Sequence, residues 1–477
     1  MGGGAWDLGF GIFIVALLYL APLLLDAPLT DPDEGLHAAI SQEMVERGDL
    51  VVPRFLGRAF LDKPILFFWS QAASMRVFGM NTAAARLPGV LFALLGIATT
   101  GWLARVLFRG QGAGGRGQFS GQWAAGSGQE NTVGVVAAGC YATMVLPFLL
   151  AQAPVHDIAL VPFTNLALAF LWRARWDSGS GIRDVGCAGI ALGASILAKG
   201  LEGVAIVGVG YSVYLVVTRT LTWRLVLQGV VVVGVAALVA LPWYLAMNAR
   251  EPGYLRYYFV DRHLLGFATD TQRHSGQPWW FYVPVLIGGG LPWLLFVRRP
   301  ARAATPHALL WTWLAGAVVL LSLSQSKAVT YLLPAMPAIA IVAAASFHGT
   351  RTWRTVSMAT AATYAAALIL FGPAVARAHS ARDLASYFND SGRVPATIFV
   401  FDQRVSFVYY LRPELRSQLY PDQVRSVSVE QLAAMQPFPP DAAVTLPIDL
   451  AAPRVPRIPA LANAQRHVAG RYLVVRP

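Results

Sequence analysis

Lysine is nearly absent from this 477-residue chain: of 37 basic residues only Lys63, Lys199 and Lys327 are lysine, and the rest are arginine. Charge of either sign is scarce too, at 13% of residues against about 25% in soluble domains. With 56% hydrophobic residues and a mean hydropathy of +0.52, a soluble globular enzyme is excluded and a polytopic α-helical membrane protein is implied. There are two cysteines, Cys140 and Cys187, both inside apolar stretches, which excludes a disulfide framework. The net charge of +12 is nowhere gathered into a basic patch, so it does not point to nucleic acid. The first apolar stretch lacks a basic n-region and a small-residue cleavage site, and it reads as a retained helix.

What is present is a series of apolar stretches beginning near Leu8, Leu87, Asn131, Ile158, Val185, Gly203, Leu225, Pro278, Ala308, Ala328 and Thr355. Each is long enough, or nearly so, to cross a hydrocarbon core of about 30 Å, which predicts about 11 to 13 membrane helices. Arginines from Arg105 to Arg354 crowd alternate loops, opposed there only by Glu130, Asp177 and Asp184, and that bias sets those loops inside. The first loop and the C-terminal tail are then outside.

Residues 1–376 form the expected membrane domain and 377–477 a small exported α/β domain. In the tail, "ATIFVFD" and "AAVTLPIDL" read as strands and "SVEQLAAM" as a helix. The first outside loop, about 26–86, is too long for a simple connection, and loops of that length are commonly functional. Leu36, Ile40 and Met44 recur in it at helical spacing, as do Ile65, Phe68, Trp69 and Ala72, so two helices are expected at the membrane surface. A second outside loop, 248–277, carries Arg250, Arg256, Asp261, Arg262, His263, Asp270, Arg273 and His274. The inside run "RGQGAGGRGQFSGQWAAGSGQ" follows no strand and has no lysine, so it reads as a linker and not a phosphate cradle.

All three lysines fall on the outer side, where the arginine bias disfavours them. Carboxylates gather there also: Asp31, Asp33 and Glu34 in "DPDEG", Asp62 in "FLDKP", Asp157 in "PVHDI" and Glu202 in "LAKGLEG". An ammonium is a compact charge suited to a phosphate oxygen, whereas a carboxylate takes a proton or holds a metal. Acids and lysines at one rim therefore suggest a reaction centre with an anionic leaving group. The bland alternative for Asp33 and Glu34 is capping of, and dipole pairing with, the first turn of a helix over "GLHAAISQEM".

An ordered series of short motifs extends this reading: "DE" at Asp33 and Glu34, "GD" at Gly48 and Asp49 before Pro53, "DKP" at Asp62 to Pro64, and "ARLP" at Ala85 to Pro88. It continues with "HD" at His156 and Asp157, "AKG" at Ala198 to Gly200, "LPWY" at Leu241 to Tyr244, "LPW" at Leu291 to Trp293 and "SKAVTYLLPAMP" from Ser326 to Pro337. In this order the chain, from about Leu8 to Phe347, resembles the bacterial GT-C membrane glycosyltransferases, which include dolichyl-phosphate-mannose protein mannosyltransferases and lipid A aminoarabinose transferases. It departs from the aminoarabinose branch at Leu36 and His37, where Arg and Tyr are usual, at Asp62 in place of Glu, and at Leu201 in place of Pro.

The resemblance implies an inverting transfer of a sugar from a polyprenyl-phosphate donor to a lipid A-like, glycan or protein acceptor. The implied place is the periplasmic face of the bacterial inner membrane. It implies Asp33 and Asp157, with Glu34, as the acidic catalytic positions. Lys63, Lys199, Arg262, Lys327 and Tyr331 become the candidate donor-phosphate site, and Asp62 a candidate ligand for a divalent ion. A flippase or transporter of a lipid-linked substrate is the alternative. That reading expects midplane charges in broken helices and an internal repeat, and the sequence has neither.

Overall fold

A computed structural model of the chain describes residues 15, 17–25, 27–109, 129–152, 155–176, 181–269, 275–297, 305–347, 352–435, 438–439, 441–448 and 464–476. The glycine-rich run apart from its ends, most of the first apolar stretch, Asp26, and Asp270, Arg273 and His274 lie outside them.

Among the described residues six helices are long and apolar enough to cross a membrane: Thr82–Phe108, His156–Trp176, Gly181–Lys199, Trp223–Arg250, Thr305–Leu323 and Thr352–Ala378. A bent pair, Thr132–Ala142 with Val145–Gln152, makes a seventh if it counts as one span. The stretches that the sequence reads as starting near Pro278 and Ala328 are apolar but not single straight helices. Tyr282–Gly289 gives way to a 3-10 turn at Trp293–Phe296, and Val329–Ala335 is 3-10 before the α-helix Met336–Ala345. Pro292 and Pro334 lack the amide that a continuous helix needs, and they sit at these changes. The Trp223–Arg250 and Thr352–Ala378 helices bury little of their apolar surface in the protein, which calls for lipid around them.

The chain forms two compact units. One comprises Met1–Ala21, Asp62–Phe67 and Gly89–Ala365, and the other Pro22–Leu61, Phe68–Pro88 and Ala366–Pro477. In the first, helix Gly181–Lys199 packs between His156–Trp176 and Trp223–Arg250. Small residues allow the close approach: a Cβ on Gly189 would lie 2.5 Å from the Val235 Cβ, and one on Gly193 would lie 2.5 Å from that of Val239. The buried Asn165 amide donates to the Thr99 and Thr100 hydroxyls, at 3.2 and 3.0 Å, and so ties His156–Trp176 to Thr82–Phe108 by interhelical hydrogen bonds.

The second unit joins the first outside loop to the tail around one core, although the sequence reading treats them as separate regions. A hairpin of β1 (Arg54–Phe55) and β2 (Arg58–Ala59) precedes a five-stranded sheet of β3 (Thr397–Val400), β4 (Val424–Ser426), β5 (Ala442–Pro447), β6 (Gln465–Ala469) and β7 (Tyr472–Arg476). The sheet order is β4-β3-β5-β7-β6, with β3 parallel to β4 and β5 and the other pairs antiparallel. The expected strands and the short helix at Val429–Ala433 are all present. Ala38, Leu56, Met75 and Ala85 from the loop share a core with Leu384, Phe388, Ile398 and Phe407 from the tail.

Helix Asp33–Arg47 is therefore not the one-sided surface helix that its spacing suggests. Nearly every residue from Glu34 to Met44 is buried, including His37, Ser41 and Gln42. A tail segment covers it: a Cβ on Gly35 would meet the Ser406 Cβ at 2.3 Å. The Asp31 carboxylate locks that contact by accepting the Val405 and Ser406 amides, at 2.8 and 2.7 Å, and the Ser406 hydroxyl at 2.7 Å.

Candidate functional site

The first unit brings the charged motifs together at the end of helix Gly181–Lys199. Lys199 is its last residue, and Gly200 turns the chain with a φ of +89° before helix Glu202–Val217 begins. Only glycine fits there. A Cβ would sit 2.6 Å from both His263 Nε2 and the Tyr258 hydroxyl, in a backbone region that side chains avoid.

The Lys199 ammonium donates to Asp157 Oδ1 at 2.5 Å and lies 2.8 Å from Glu202 Oε2. It also stands 4.1 Å from the centroid of the Tyr331 ring, on which it makes a cation–π contact. Asp157 comes from the first turn of helix His156–Trp176. The Lys199 and Asp157 side chains are only 5% and 6% exposed, so neither charge is offset by water. One ammonium between two carboxylates leaves a negative charge over. Lys63 is the cation outside the pair whose field acts on both Asp157 and Glu202. Glu202 Oε1 is buried and, among the described residues, has no hydrogen-bond partner.

Lys63 is half-buried and, among the described residues, makes no hydrogen bond or ion pair. Pro64 keeps it out of helical conformation, and helix Leu66–Phe78 starts just beyond. Its neighbour Asp62 accepts the Tyr257 hydroxyl at 2.6 Å, with Arg262 Nε 3.7 Å from the same oxygen. Tyr257, Tyr258, Arg262 and His263 all come from one ten-residue π-helix, Arg256–Leu265. Such helices are rare and occur preferentially at functional sites.

His263 fixes the Gly200 turn. Its Nδ1 lies 2.7 Å from the Tyr258 carbonyl, which can only accept, and its Nε2 accepts the Leu201 amide at 3.4 Å. The ring is thus a neutral tautomer with its proton on Nδ1. Burial, aided by the nearby cations of Arg262, Lys63 and Lys199, holds its pKa below the ordinary histidine value.

Not every residue singled out from the sequence joins this cluster. Lys327 is buried and donates to the Ser324 carbonyl, and to that of Gln277 at 3.4 Å, so it closes the "LSQSK" turn. Asp33 and Glu34 belong to the second unit. Glu34 is held by Arg86, with Nε to Oε1 at 2.6 Å and Nη2 to Oε2 at 3.0 Å, and each of the two side chains is 3% exposed. Its Oε2 also accepts the Thr30 amide and hydroxyl at 2.8 and 3.0 Å. That geometry is structural. Asp33 is exposed and has no side-chain partner among the described residues.

Asp62 does not fit the expected metal ligand. It faces a phenol and a guanidinium, and no group of three or more His, Cys, Asp or Glu side chains converges among the described residues. Sequence reasoning passed over Tyr257 and Tyr258. The run "YLRYYFVDRH" held a signal for them, in that aromatic and basic residues crowd one short polar stretch between membrane spans.

Comparisons with known proteins show what the chain is similar to. A family model described as dolichyl-phosphate-mannose-protein mannosyltransferase matches residues 120–258. An undecaprenyl phosphate-alpha-4-amino-4-deoxy-L-arabinose arabinosyl transferase of Pseudomonas paraeruginosa is 33% identical over 350 residues, which cover 71% of this chain and 58% of the relative. One from Aeromonas hydrophila is 31% identical over 337 residues, covering 69% and 57%. The chain thus spans less than two thirds of the length of these curated relatives. ArnT from Cupriavidus metallidurans, in a crystal structure bound to undecaprenyl phosphate, superposes with a TM-score of 0.75 at 20% identity, covering 99% of this chain and 98% of that one. The archaeal oligosaccharyltransferase AglB from Archaeoglobus fulgidus gives 0.54 at 14% identity, covering 90% and 65%. These two likenesses are likenesses of fold. The family model and the relatives are glycosyltransferases by name, and this chain is similar to them in sequence as it is to the two solved structures in fold.

Proposed function

We propose that this protein transfers a sugar from a polyprenyl-phosphate donor to a lipid acceptor of the lipid A kind, with inversion at the anomeric carbon. The observation that carries the proposal is the ammonium of Lys63, unpaired among the described residues, beside a buried Asp157–Lys199–Glu202 cluster whose own cation is already neutralised. In the reaction the bond from the anomeric carbon to the phosphate oxygen breaks, and that oxygen keeps the electron pair. Fixed cations in a water-poor site stabilise the charge without reorganising. Lys63 takes that role, Arg262 assists it, and Asp62 and Tyr257 set the position of Arg262. Lys199 is saturated by two carboxylates, so its part is to hold Asp157 and the Tyr331 ring in place. If the acceptor is a hydroxyl, its proton goes to a base, for which exposed Asp33 is the candidate. A phosphate acceptor needs none. The relatives' names favour a 4-amino-4-deoxy-arabinose donor.

The reading includes about 11 to 13 spans, residues 377–477 on the periplasmic side, and a place in the bacterial inner membrane. The arginine bias of the alternate loops supports it. Purified protein given an undecaprenyl-phosphate aminopentose and lipid A should release undecaprenyl phosphate and add one aminopentose to lipid A. If lipid A stays unmodified while another acceptor gains a sugar, the acceptor assignment fails. No transfer to any lipid, glycan or protein would defeat the whole reading.

A further inference from the structure

Where the lipid-facing helix Thr352–Ala378 ends, the second unit holds a cavity of about 330 Å³ that shares no residue with the cluster around Lys199. Its walls are Ala27, Pro28, Pro373, Arg377, Ser380, Arg382 and Asp383. The Nε of Arg377 donates to the Pro373 carbonyl at 3.2 Å, and its terminal amino groups have no partner among the described residues. The Arg382 guanidinium is 5.4 Å from the centroid of the Tyr410 ring, which holds it by one face. Asp383 is turned away in part: its Oδ2 accepts the Arg471 amide at 3.0 Å, where Gly470 leaves room for it. Helix Arg382–Ser391 starts at the cavity, where the Arg382 amide donates to the Ser380 hydroxyl at 3.3 Å.

Among the described residues of the lining, two guanidinium groups against one carboxylate give a net charge of +1. That balance matches a singly charged phosphodiester, which guanidinium groups bind through paired hydrogen bonds. Leading to the cavity along the same helix, Ile369, Leu370, Phe371 and Val375 are 73%, 69%, 63% and 54% exposed, an apolar surface around the helix with little cover from the described residues. An apolar helix surface ending at a cationic pocket has the amphiphilic form of a membrane lipid. From this juxtaposition we infer that the cavity binds the phosphodiester headgroup of an anionic lipid, whose chains lie along Ile369 to Val375. An arginine that merely snorkels needs water at its tip and no cavity.

The test uses the full-length protein in detergent micelles and follows binding of dihexanoyl phosphatidylglycerol by calorimetry. The wild type should bind it saturably. Arg377→Gln with Arg382→Gln should weaken binding at least tenfold while thermal unfolding stays unchanged. Dihexanoyl phosphatidylcholine and inorganic phosphate should each bind at least tenfold more weakly than phosphatidylglycerol, the first for lack of net charge and the second for lack of chains. Arg377 is exposed, so Arg377→Gln alone keeps the test open if the double variant does not fold, and it should weaken binding severalfold. Equal binding by the variants overturns the site. Equal binding of phosphatidylcholine overturns the charge argument, and equal binding of inorganic phosphate shows a free-anion site and not a lipid site.

Discussion

Lys199 Nζ and Asp157 Oδ1 are 2.5 Å apart in a buried pair that also takes in Glu202. Removing the shared cation leaves two largely buried carboxylates without the ammonium between them. We expect Lys199→Met to lower stability by about 3 to 5 kcal/mol, the usual cost of breaking a buried pair. Asp157→Asn still leaves Lys199 with Glu202, so it should fold with a smaller loss and lower turnover by about 10² through mispositioning. Denaturation in detergent and single-turnover transfer assays separate the two effects. Equal stability losses would show that Glu202 does not compensate.

How much of this site was legible in the sequence depends on the kind of contact. The lysine scarcity singled out Lys63 and Lys199, and motif order linked Asp157 and Tyr331 to them; the structure brings these residues together. Lys327 shares the same outer-rim placement, yet its ammonium is used up on backbone carbonyls, which no side-chain pattern reports. Glu34 has the sequence context of an acid next to Asp33, and only the fold reveals Arg86 against it from 52 positions away. The strands of the tail were readable because β-branched runs bounded by turn residues are a local signal. That the first loop and the tail share one core was not, because the contacts between Ala38 and Phe407 or between Asp31 and Ser406 carry no periodicity.

The Gly200 turn gives a pH signature. The fold holds His263 neutral, with a folded pKa below its ordinary value of 6.5. The unfolded chain therefore binds the proton first as pH falls, so the stability from this residue is full above about pH 6.5 and declines below it. His263→Asn should flatten that part of the stability profile between about pH 6.5 and 5. Gly200→Ala should cost at least about 1 to 2 kcal/mol for the left-handed backbone alone. It should also cost activity, because its Cβ would push His263 and Tyr258 away from Lys199. A Gly200→Ala protein with unchanged melting and transfer would contradict the geometry.

Asp33 and Glu34 should separate cleanly. Arg86→Met leaves the Glu34 carboxylate buried without a cation, held by Thr30 only, and a stability loss of about 3 to 5 kcal/mol is expected, with helix Asp33–Arg47 loosened. Glu34→Gln keeps one acceptor for Thr30 and should cost less, about 1 to 3 kcal/mol, with little effect on turnover in the protein that folds. Asp33→Asn should show the reverse pattern: normal melting, and with a hydroxyl acceptor a turnover lower by about 10² or more. Normal transfer to a hydroxyl acceptor by Asp33→Asn would reduce Asp33 to a first-turn helix residue.

Lys63 gives the sharpest test, because its two readings predict opposite results for one substitution. A lysine that only anchors the bend before helix Leu66–Phe78 needs positive charge near the lipid headgroups, and Lys63→Arg supplies it. A lysine that grips a phosphate beside Asp62 needs a compact point charge, and the planar guanidinium is larger and presents its donors as a fork. Lys63 is half-buried beside Pro64 and a packed Ile65, with little room for the larger head. We expect both Lys63→Arg and Lys63→Met to fold with normal melting, because no hydrogen bond or ion pair of Lys63 is lost among the described residues. Each should bind undecaprenyl phosphate at least about tenfold more weakly, the scale of one charge-assisted hydrogen bond. Lys63→Met should further lower the field on Asp157 and Glu202, so its transfer rate should fall more than that of Lys63→Arg at saturating donor. Wild-type donor affinity in Lys63→Arg, measured on purified protein, would leave Lys63 a surface anchor and remove the main physical support for a phosphate-linked donor at this site.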